Sequence, residues 1–406
     1  MNILIATFSF PAQSMGVYDG KFVFSEAVAY AKAGARVRVI TPYFRGAEAR
    51  EKIAQDVTIY RFQYFFPRSL QVLKVPGLPM YGQKSFLAWC QIPFLCFFFC
   101  LAMLRHALWA DIIHAQWTVS AFLALPAKWF LKKKIVVTAR GTDIRRFPKW
   151  LNKFIHYQVD AAIDCFGPQP RNKTYKKTFS GTFIKLPLIV HEGTAKLIPD
   201  DMQERILKEE DPFIILYVGR FDRFKLTYNA LPLLDLVHAS SMLQDRNMLF
   251  HLFYIGGGDV RIEEELRRLI DLYEVEDVVS ILGKKASPMD YMRFCDLGVG
   301  GVAFNAVSQE YTILGKPQIL VDVPDNTNTP WKNGINALFV EPGNRNDLLE
   351  KLVWAINHRD ELKRIGTAAK QHMERYIVDS GAGGRMYLDA FRKIITGEGK
   401  RPFPVR

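Results

Sequence analysis

The sequence lacks the marks of a metal-bound or disulfide-stapled protein. Its five cysteines stand at 90, 96, 100, 165 and 295, with no C-x-x-C pair and no spacing that reads as a framework. That pattern points to a reducing, cytoplasmic setting. No D-x-D triplet offers paired carboxylates to a divalent ion, so no metal site and no cofactor is expected. Met1 to Thr7 run straight into an apolar strand, without the basic start and small-residue cleavage site of a secretory signal. Internal repeats and low-complexity tracts are also absent, which excludes a solenoid or a disordered scaffold. What remains is a chain of 406 residues, 49% apolar and 23% charged. It is long enough for two ordinary domains, each with its own core.

Acid is scarce in one half. Residues 1–200 hold 27 Lys plus Arg against 11 Asp plus Glu, a balance of +16, whereas the remainder holds 27 against 30, a balance of −3. A one-sided positive field points to a polyanionic partner facing that half. Nucleic acid is disfavoured, because the aromatics lie in apolar blocks and are not interleaved with Lys and Arg as stacking platforms. An anionic membrane surface or a phosphorylated substrate remains. Residues 85–104 carry 17 apolar residues in 20 and no charge, between Lys84 and Arg105. That is long enough for a membrane span. Spanning would, however, strand residues 1–84 across the bilayer from the strand at 111–115 that shares their sheet. The expectation is a helix held partly in the core and partly in the membrane interface, beside Lys132, Lys133 and Lys134. A fully buried core helix is the alternative.

Strand and helix patterns alternate throughout. Residues 1–7, 36–41, 111–115 and 134–138 read as buried strands, with helical spacing over 21–33 and a stop at Gly34. The alternation restarts with strands at 213–218, 249–255, 278–282 and 318–322, and helical stretches follow at 347–375 and 384–396. Residues 190–211 turn polar and acidic and form the expected join. The predicted organisation is an N-terminal domain over 1–192, a C-terminal domain over 193–380, and a last helix with a basic tail over 381–406 that packs back on the first.

Several short segments carry chemistry. Gly219-Arg220-Phe221-Asp222-Arg223-Phe224-Lys225 follows the strand at 213–218 directly. Arg220 at the strand's edge and Lys225 five residues on can converge on one diphosphate, in the crevice where open parallel sheets bind ligands. Next come Gly256-Gly257-Gly258 after a second strand, then Gly283-Lys284. Asn305 is placed to cap a helix whose first residues, Ala306 and Val307, would turn their N–H groups toward the same anion. Glu310 can accept two hydrogen bonds from vicinal ribose hydroxyls, and Gly315-Lys316-Pro317 closes the series.

In order and spacing these segments resemble the C-terminal domain of retaining GT-B glycosyltransferases, in particular glycosyltransferase family four: G-R-x4-K, then G-x-G, then L-G, then E-x4-G-x-P. In the N-terminal half, Gly20-Lys21-Phe22-Val23 with Glu26-Ala27 is similar to the G-x-F-V opening of one subgroup. Asp111 to Ala115 and Thr138 to Asp143 resemble its D-x-I-H-A and T-x-R-G-x-D segments. The resemblance covers about residues 1–375. It implies an α/β fold of GT-B type, two Rossmann-like doubly wound parallel-sheet domains facing a central cleft. It also implies a nucleotide-sugar donor, UDP- or GDP-linked, held by Gly20, Gly219, Gly257, Gly283, Lys284, Asn305, Ala306 and Val307. Arg220, Lys225 and Glu310 would be catalytic, joined by His114 and Asp143 at strand ends facing the cleft.

One departure stands out. The family usually carries a second glutamate eight residues before the ribose-binding one, in contact with the donor sugar. Here that position is Val302, which cannot accept such bonds, so the polar segment Asp325 to Trp331 is the candidate replacement. The expected function is transfer with retention, without a metal ion, to a lipid-linked or polysaccharide acceptor at the inner face of the cell membrane. The alternative is a catalytically silent GT-B-like partner protein.

Overall fold

The computed structural model describes the chain except residues 13–19, 55, 72, 74–85, 139–147, 165–181, 191–196, 207–210, 222–231, 303–304, 323–328, 375 and 399–406, and the side chains of 182, 190, 302 and 377. It divides into two compact units, Met1–His191 with Val378–Arg406, and Glu192–Ile377.

The first unit is built on an eight-stranded sheet. Its strands are β1 (Asn2–Ala6), β2 (Arg36–Pro42), β3 (Arg50–Ala54), β4 (Val57–Phe62), β5 (Ile112–Gln116), β6 (Lys134–Thr138), β7 (Ala161–Asp164) and β8 (Thr182–Lys185). They lie in the order β3-β4-β2-β1-β5-β6-β7-β8, all parallel except β3, which pairs antiparallel with β4 at the edge. The central strands β1, β5 and β6 are rich in Ile, Val, Leu and Ala and buried on both faces, as a parallel sheet under helices requires, with His114 and Gln116 of β5 as buried polar exceptions. Helix α1 (Lys21–Lys32) ends at Ala33, and Gly34 follows in the left-handed region at φ 90°. Helices α2 (Phe86–Ala107), α3 (Thr118–Leu131) and α4 (Lys149–Gln158) complete the part of this unit that precedes the join.

Among the described residues only α2 is long and apolar enough to cross a membrane. It buries one stripe, Ala88, Leu95, Phe99, Met103 and Ala107, in the core of the first unit. Phe99 stacks on Phe8 at 4.8 Å and meets Phe62 edge-on at 5.4 Å. The other stripe is exposed, so α2 is not the fully buried core helix that the apolar run also allowed.

The polar join at 190–211 contains a short helix, α5 (Asp200–Ile206). Asp200 and Asp201 in its first turn complement the helix dipole, and Met202 is buried. The second unit is a six-stranded, all-parallel sheet of β10 (Phe213–Phe221), β11 (Phe250–Gly258), β12 (Val279–Gly283), β13 (Leu297–Val302), β14 (Gln318–Val321) and β15 (Leu338–Val340); a short β9 (Leu188–Val190) precedes it. The order is β12-β11-β10-β13-β14-β15. The chain therefore runs outward on one side of β10 and returns on the other, which makes the β10/β13 boundary the topological switch point.

Helices α6 (Asp235–Asp245), α7 (Val260–Leu272), α8 (Pro288–Met292), α9 (Ala306–Ile313), α10 (Arg345–Asn357) and α11 (Arg359–Met373) belong to this unit. The expected single stretch at 347–375 is two helices, because His358 leaves helical geometry at φ −127° and ψ 49°. After β16 (Ile377–Asp379), α12 (Ser380–Thr396) packs on α1.

Candidate active site

The second unit gathers most of the expected donor residues at the C-terminal edge of its sheet. Gly219 and Arg220 are not in a loop; they are the last turns of pleat in β10. Arg220 is exposed and stands in register with Gly257 of β11. The three glycines 256–258 likewise belong to a strand, and the strand pairing explains them. A Cβ on Gly256 would lie 1.8 Å from the Gly219 carbonyl oxygen, and one on Gly258 would lie 2.4 Å from that of Phe221. With φ at +150° and +159°, Gly256 and Gly257 also occupy backbone that side chains rarely adopt.

Gly257 has a different neighbour. A Cβ there would meet Lys284 Cε at 3.2 Å, so the Lys284 side chain lies across the bare glycine from the next strand over. Gly283, which turns the chain at φ +72°, faces open space. Arg220, Gly257 and Lys284 thus form a row across β10, β11 and the end of β12, two exposed cations on either side of a glycine that the Lys284 side chain covers. Phosphate oxygens are stabilised by such a row.

On the other side of β10, β13 leads into α9. Asn305 caps this helix: its Oδ1 accepts the Ser308 N–H at 2.6 Å, and its Nδ2 donates to the Gly300 carbonyl. Ala306 and Val307 form the first turn, where N–H groups have no partner within the helix and favour an anion. Tyr311 anchors the helix. It is fully buried and donates to the Leu216 carbonyl of β10 at 2.6 Å. Its ring lies so close to β13 that a Cβ on Gly298 would stand 2.5 Å away. Burial pushes the Tyr311 hydroxyl well above its usual range, so it stays protonated and keeps donating. Gln318 adds a second clamp through Nε2, to the Ser308 carbonyl at 3.0 Å and Thr312 Oγ1 at 2.9 Å. Glu310, half-buried, is therefore held at a defined position one turn into α9. Tyr311, Gln318 and Gly298 were not singled out from sequence, although a glycine mid-strand is a signal of close approach.

Lys225 and Asp143 lie outside the described residues, as do 325–328 of the polar segment. Val302 ends β13.

The first unit places His114 differently from the expectation of a group at a cleft-facing strand end. His114 is the middle residue of β5 and is 0% exposed. The physical reason is its position on a central strand between β1 and β6, with α1 and α12 over that face. Tyr30 Oη lies 3.1 Å from His114 Nδ1, and Thr138 Oγ1 lies 2.8 Å from Nε2. Gln116 Nε2 donates to Glu26 Oε2 at 2.6 Å, and that oxygen is 3.8 Å from His114 Nδ1. Glu26 was legible in principle: it sits at helical spacing among Val23, Ala27 and Tyr30, a carboxylate on a buried stripe. Gly20 opens α1 at φ +80°, and a Cβ there would meet the Ser9 carbonyl oxygen at 2.5 Å. It fixes the approach of α1 to the chain leaving β1.

Comparison with known proteins gives this geometry a context. Residues 212–358 match the family model described as glycosyl transferases group 1. No curated protein matches at the sequence level. Among solved structures, sucrose-phosphate synthase from Thermosynechococcus elongatus is similar with a TM-score of 0.66 at 18% identity, covering 98% of this chain and 99% of that one. Anabaena HepE in complex with UDP is similar with a TM-score of 0.65 at 14% identity, covering 97% and 100%. The catalytic domain of starch synthase IV from Arabidopsis thaliana, bound to ADP and acarbose, is similar with a TM-score of 0.63 at 13% identity, covering 97% and 99%. The fold is GT-B, with two Rossmann-like parallel-sheet units.

Proposed function

We propose that this chain is a nucleotide-sugar-dependent glycosyltransferase of the hexosyltransferase type. It would move a sugar from a UDP- or GDP-linked donor to a lipid-linked or polysaccharide acceptor, with retention of configuration, in cell-surface glycan biosynthesis. One observation carries the donor part: the row of Arg220, Gly257 and Lys284 borders the same strand, β10, as the capped N-terminus of α9. A diphosphate seated there meets cations on one side and helix N–H groups on the other. The leaving nucleoside diphosphate gains negative charge as the glycosidic bond breaks, and preorganised cations stabilise that charge without any reorganisation. Lys225 would add a second cation on the Arg220 side. Glu310, fixed by Tyr311 and Gln318, would receive the ribose hydroxyls.

The two similar structures from Anabaena and Arabidopsis thaliana are complexes with UDP and with ADP, which supports a nucleoside diphosphate as the ligand class. Retention, a hexose and a role of Asp143 in the reaction rest on the resemblance of the motifs, whereas His114, fully buried in β5 between Tyr30 and Thr138, is assigned a structural role. The basic N-terminal unit is the proposed acceptor side.

Calorimetric titration with UDP and GDP tests the donor site. Arg220→Ala should weaken binding by about 1.5–3 kcal/mol, the worth of a charge-assisted hydrogen bond. Glu310→Gln should harm UDP and GDP more than free pyrophosphate, because only the nucleotides present hydroxyls. Unchanged affinity in Arg220→Ala would remove the diphosphate site from this place. Val302 motivates a second reading, a silent GT-B partner protein. Nucleotide binding without hydrolysis or transfer of any UDP- or GDP-sugar would favour it.

A further inference from the structure

The outer surface of the first unit is wrong for water. Along α2 the exposed stripe reads Phe86, Cys90, Phe94, Phe97 and Leu101, at helical spacing, before Arg105 supplies a charge. Phe86 is 83% exposed and Phe97 63% exposed. A helix apolar on both faces belongs in a core or against lipid. The stripe is also not isolated. α2 packs on α3, and α3 packs on α4. Phe122, Trp129 and Phe130 are exposed on α3, and Trp150, Phe154 and Tyr157 on α4. Trp129 Nε1 donates to Gln158 of α4 at 3.3 Å, which ties these two helices at their apolar edge.

Charge decides what covers such a face. From Val57 to Val159 the sequence holds fourteen Lys and Arg and only two acids, Asp111 and Asp143, and none of the three helices contains an acid. On α4 alone, Lys149 and Lys153 stand among the exposed Trp150, Phe154 and Tyr157, whereas the exposed aromatics of α2 and α3 lie in apolar stripes, so the face as a whole is not a stacking platform for bases. A second copy of this chain would bring a rim of like charge against this one, and a protein interface ordinarily pairs charges of both signs. A rim of cations around Trp, Tyr and Phe suits anionic headgroups over acyl chains.

We propose that the first unit docks on an anionic bilayer through the face formed by α2, α3 and α4, with α2 lying in the interface and not crossing it. Its buried stripe, Leu95, Phe99 and Met103, is part of the unit's own core, so crossing would unpack the sheet. The basic run 132–134 is a smaller contributor than its sequence suggests. Lys134 pairs with Asp160 at 3.1 Å and Lys133 donates to the Ala110 carbonyl at 2.7 Å. Among the described residues the exposed cations of this face are Arg105, Lys132, Lys149 and Lys153. The proposal deepens the acceptor half of the function proposed above by naming the surface where that acceptor resides, and it is independent of the donor site.

Co-sedimentation of the full chain with phosphatidylglycerol-containing and pure phosphatidylcholine vesicles tests it, at low and high salt. The wild-type protein should pellet with the anionic vesicles, and salt should weaken binding without abolishing it, because screening leaves the apolar part. Lys149→Glu with Lys153→Glu should cut partitioning tenfold or more, at about fivefold per charge removed. Phe97→Ser and Trp150→Ser should remove the salt-resistant part, with circular dichroism and UDP affinity as controls of folding. The proposal is overturned if the wild-type protein stays in the supernatant with anionic vesicles at low salt. It is equally overturned if the variants bind like wild type, or if the wild-type chain is a dimer that Trp150→Ser dissociates. Loss of UDP binding with vesicle binding retained would sink the donor site alone, and the reverse result would sink the membrane face alone.

Discussion

Helices α7 and α2 do the same inner work and opposite outer work. Both cover parallel sheets: α7 buries Ile262, Leu266 and Ile270, and α2 buries Leu95, Phe99 and Met103. Outward, α7 carries Glu263 paired with Arg267 at 3.0 Å and Glu265 paired with Arg268 at 2.8 Å, whereas α2 carries Phe94, Phe97 and Leu101. The buried stripe of a covering helix is dictated by the sheet beneath it. Its exposed stripe is dictated by the medium around it, so two helices of one fold report two different surroundings.

If inner contacts hold the fold and outer ones only meet the medium, substitutions should rank accordingly. The largest effect is expected inside, from Tyr311→Ala, which empties a fully buried aromatic site and removes its hydrogen bond to the Leu216 carbonyl. Urea unfolding of the second unit should show a loss of about 3–5 kcal/mol. Acid should act next, on the first unit. Burial, with Arg38 and Arg105 nearby, lowers His106 of α2 to about 4, and burial lowers His156 of α4 to about 4. A folded pKa below the unfolded value means that the unfolded chain binds more protons, so stability is complete above pH 6.5 and falls as pH drops toward 4. The loss should be on the order of 2 kcal/mol per histidine by pH 4. Urea midpoints across that window should drop, and His156→Gln should flatten the slope.

Outer substitutions should be small. Phe97→Lys on α2 should change stability by no more than about 0.5 kcal/mol; a loss several times larger would mean that this stripe is core, and the comparison with α7 would fail. The smallest effect is Glu263→Ala, whose exposed i,i+4 pair with Arg267 is worth about 0.3–0.5 kcal/mol, and thermal melts with and without salt would resolve it.

The alternating architecture was readable because buried parallel strands such as Phe213–Phe221 are continuous apolar runs that need no knowledge of their neighbours. The edge pairing of β3 with β4 was not readable: Arg50–Ala54 is polar and half-exposed, and its partner strand supplies the reason it is a strand. β13 hid for a related cause. Leu297–Val302 contains three glycines, which local preference reads as a turn, while Tyr311 packing against Gly298 makes glycine necessary there. Glycines 256–258 were noticed as a place for ligand approach, and the structure adds that two of them serve the contact of β11 with β10. Among the expected site residues, Arg220, Lys284 and Asn305 lie at the C-terminal edge of one sheet, because each ends or follows a strand that the apolar runs mark or that Gly298 hides. Spacing gave His114 a false exposure, because nothing local says that α12 closes over β5 from more than two hundred residues away.

That same helix has a consequence for how the chain comes off the ribosome. α12 follows α1 by more than 340 residues, with the whole of Glu192–Ile377 made between them, yet it belongs with α1. Gly384 lets the two backbones touch, since a Cβ there would stand 2.1 Å from the Ala29 carbonyl oxygen. Tyr387 and Phe391 then close over Tyr30, each at 5.6 Å between ring centroids. A nascent chain whose residue 377 has cleared the exit tunnel presents every residue of Glu192–Ile377, so that unit is ready to fold as one piece. The unit translated first must wait, with Tyr30 and His114 uncovered, until Thr396 has cleared the exit tunnel. Birth order and closing order are reversed for these two units, and a chain stalled with the tunnel exit between residues 377 and 396 would carry a finished second unit and an open first one.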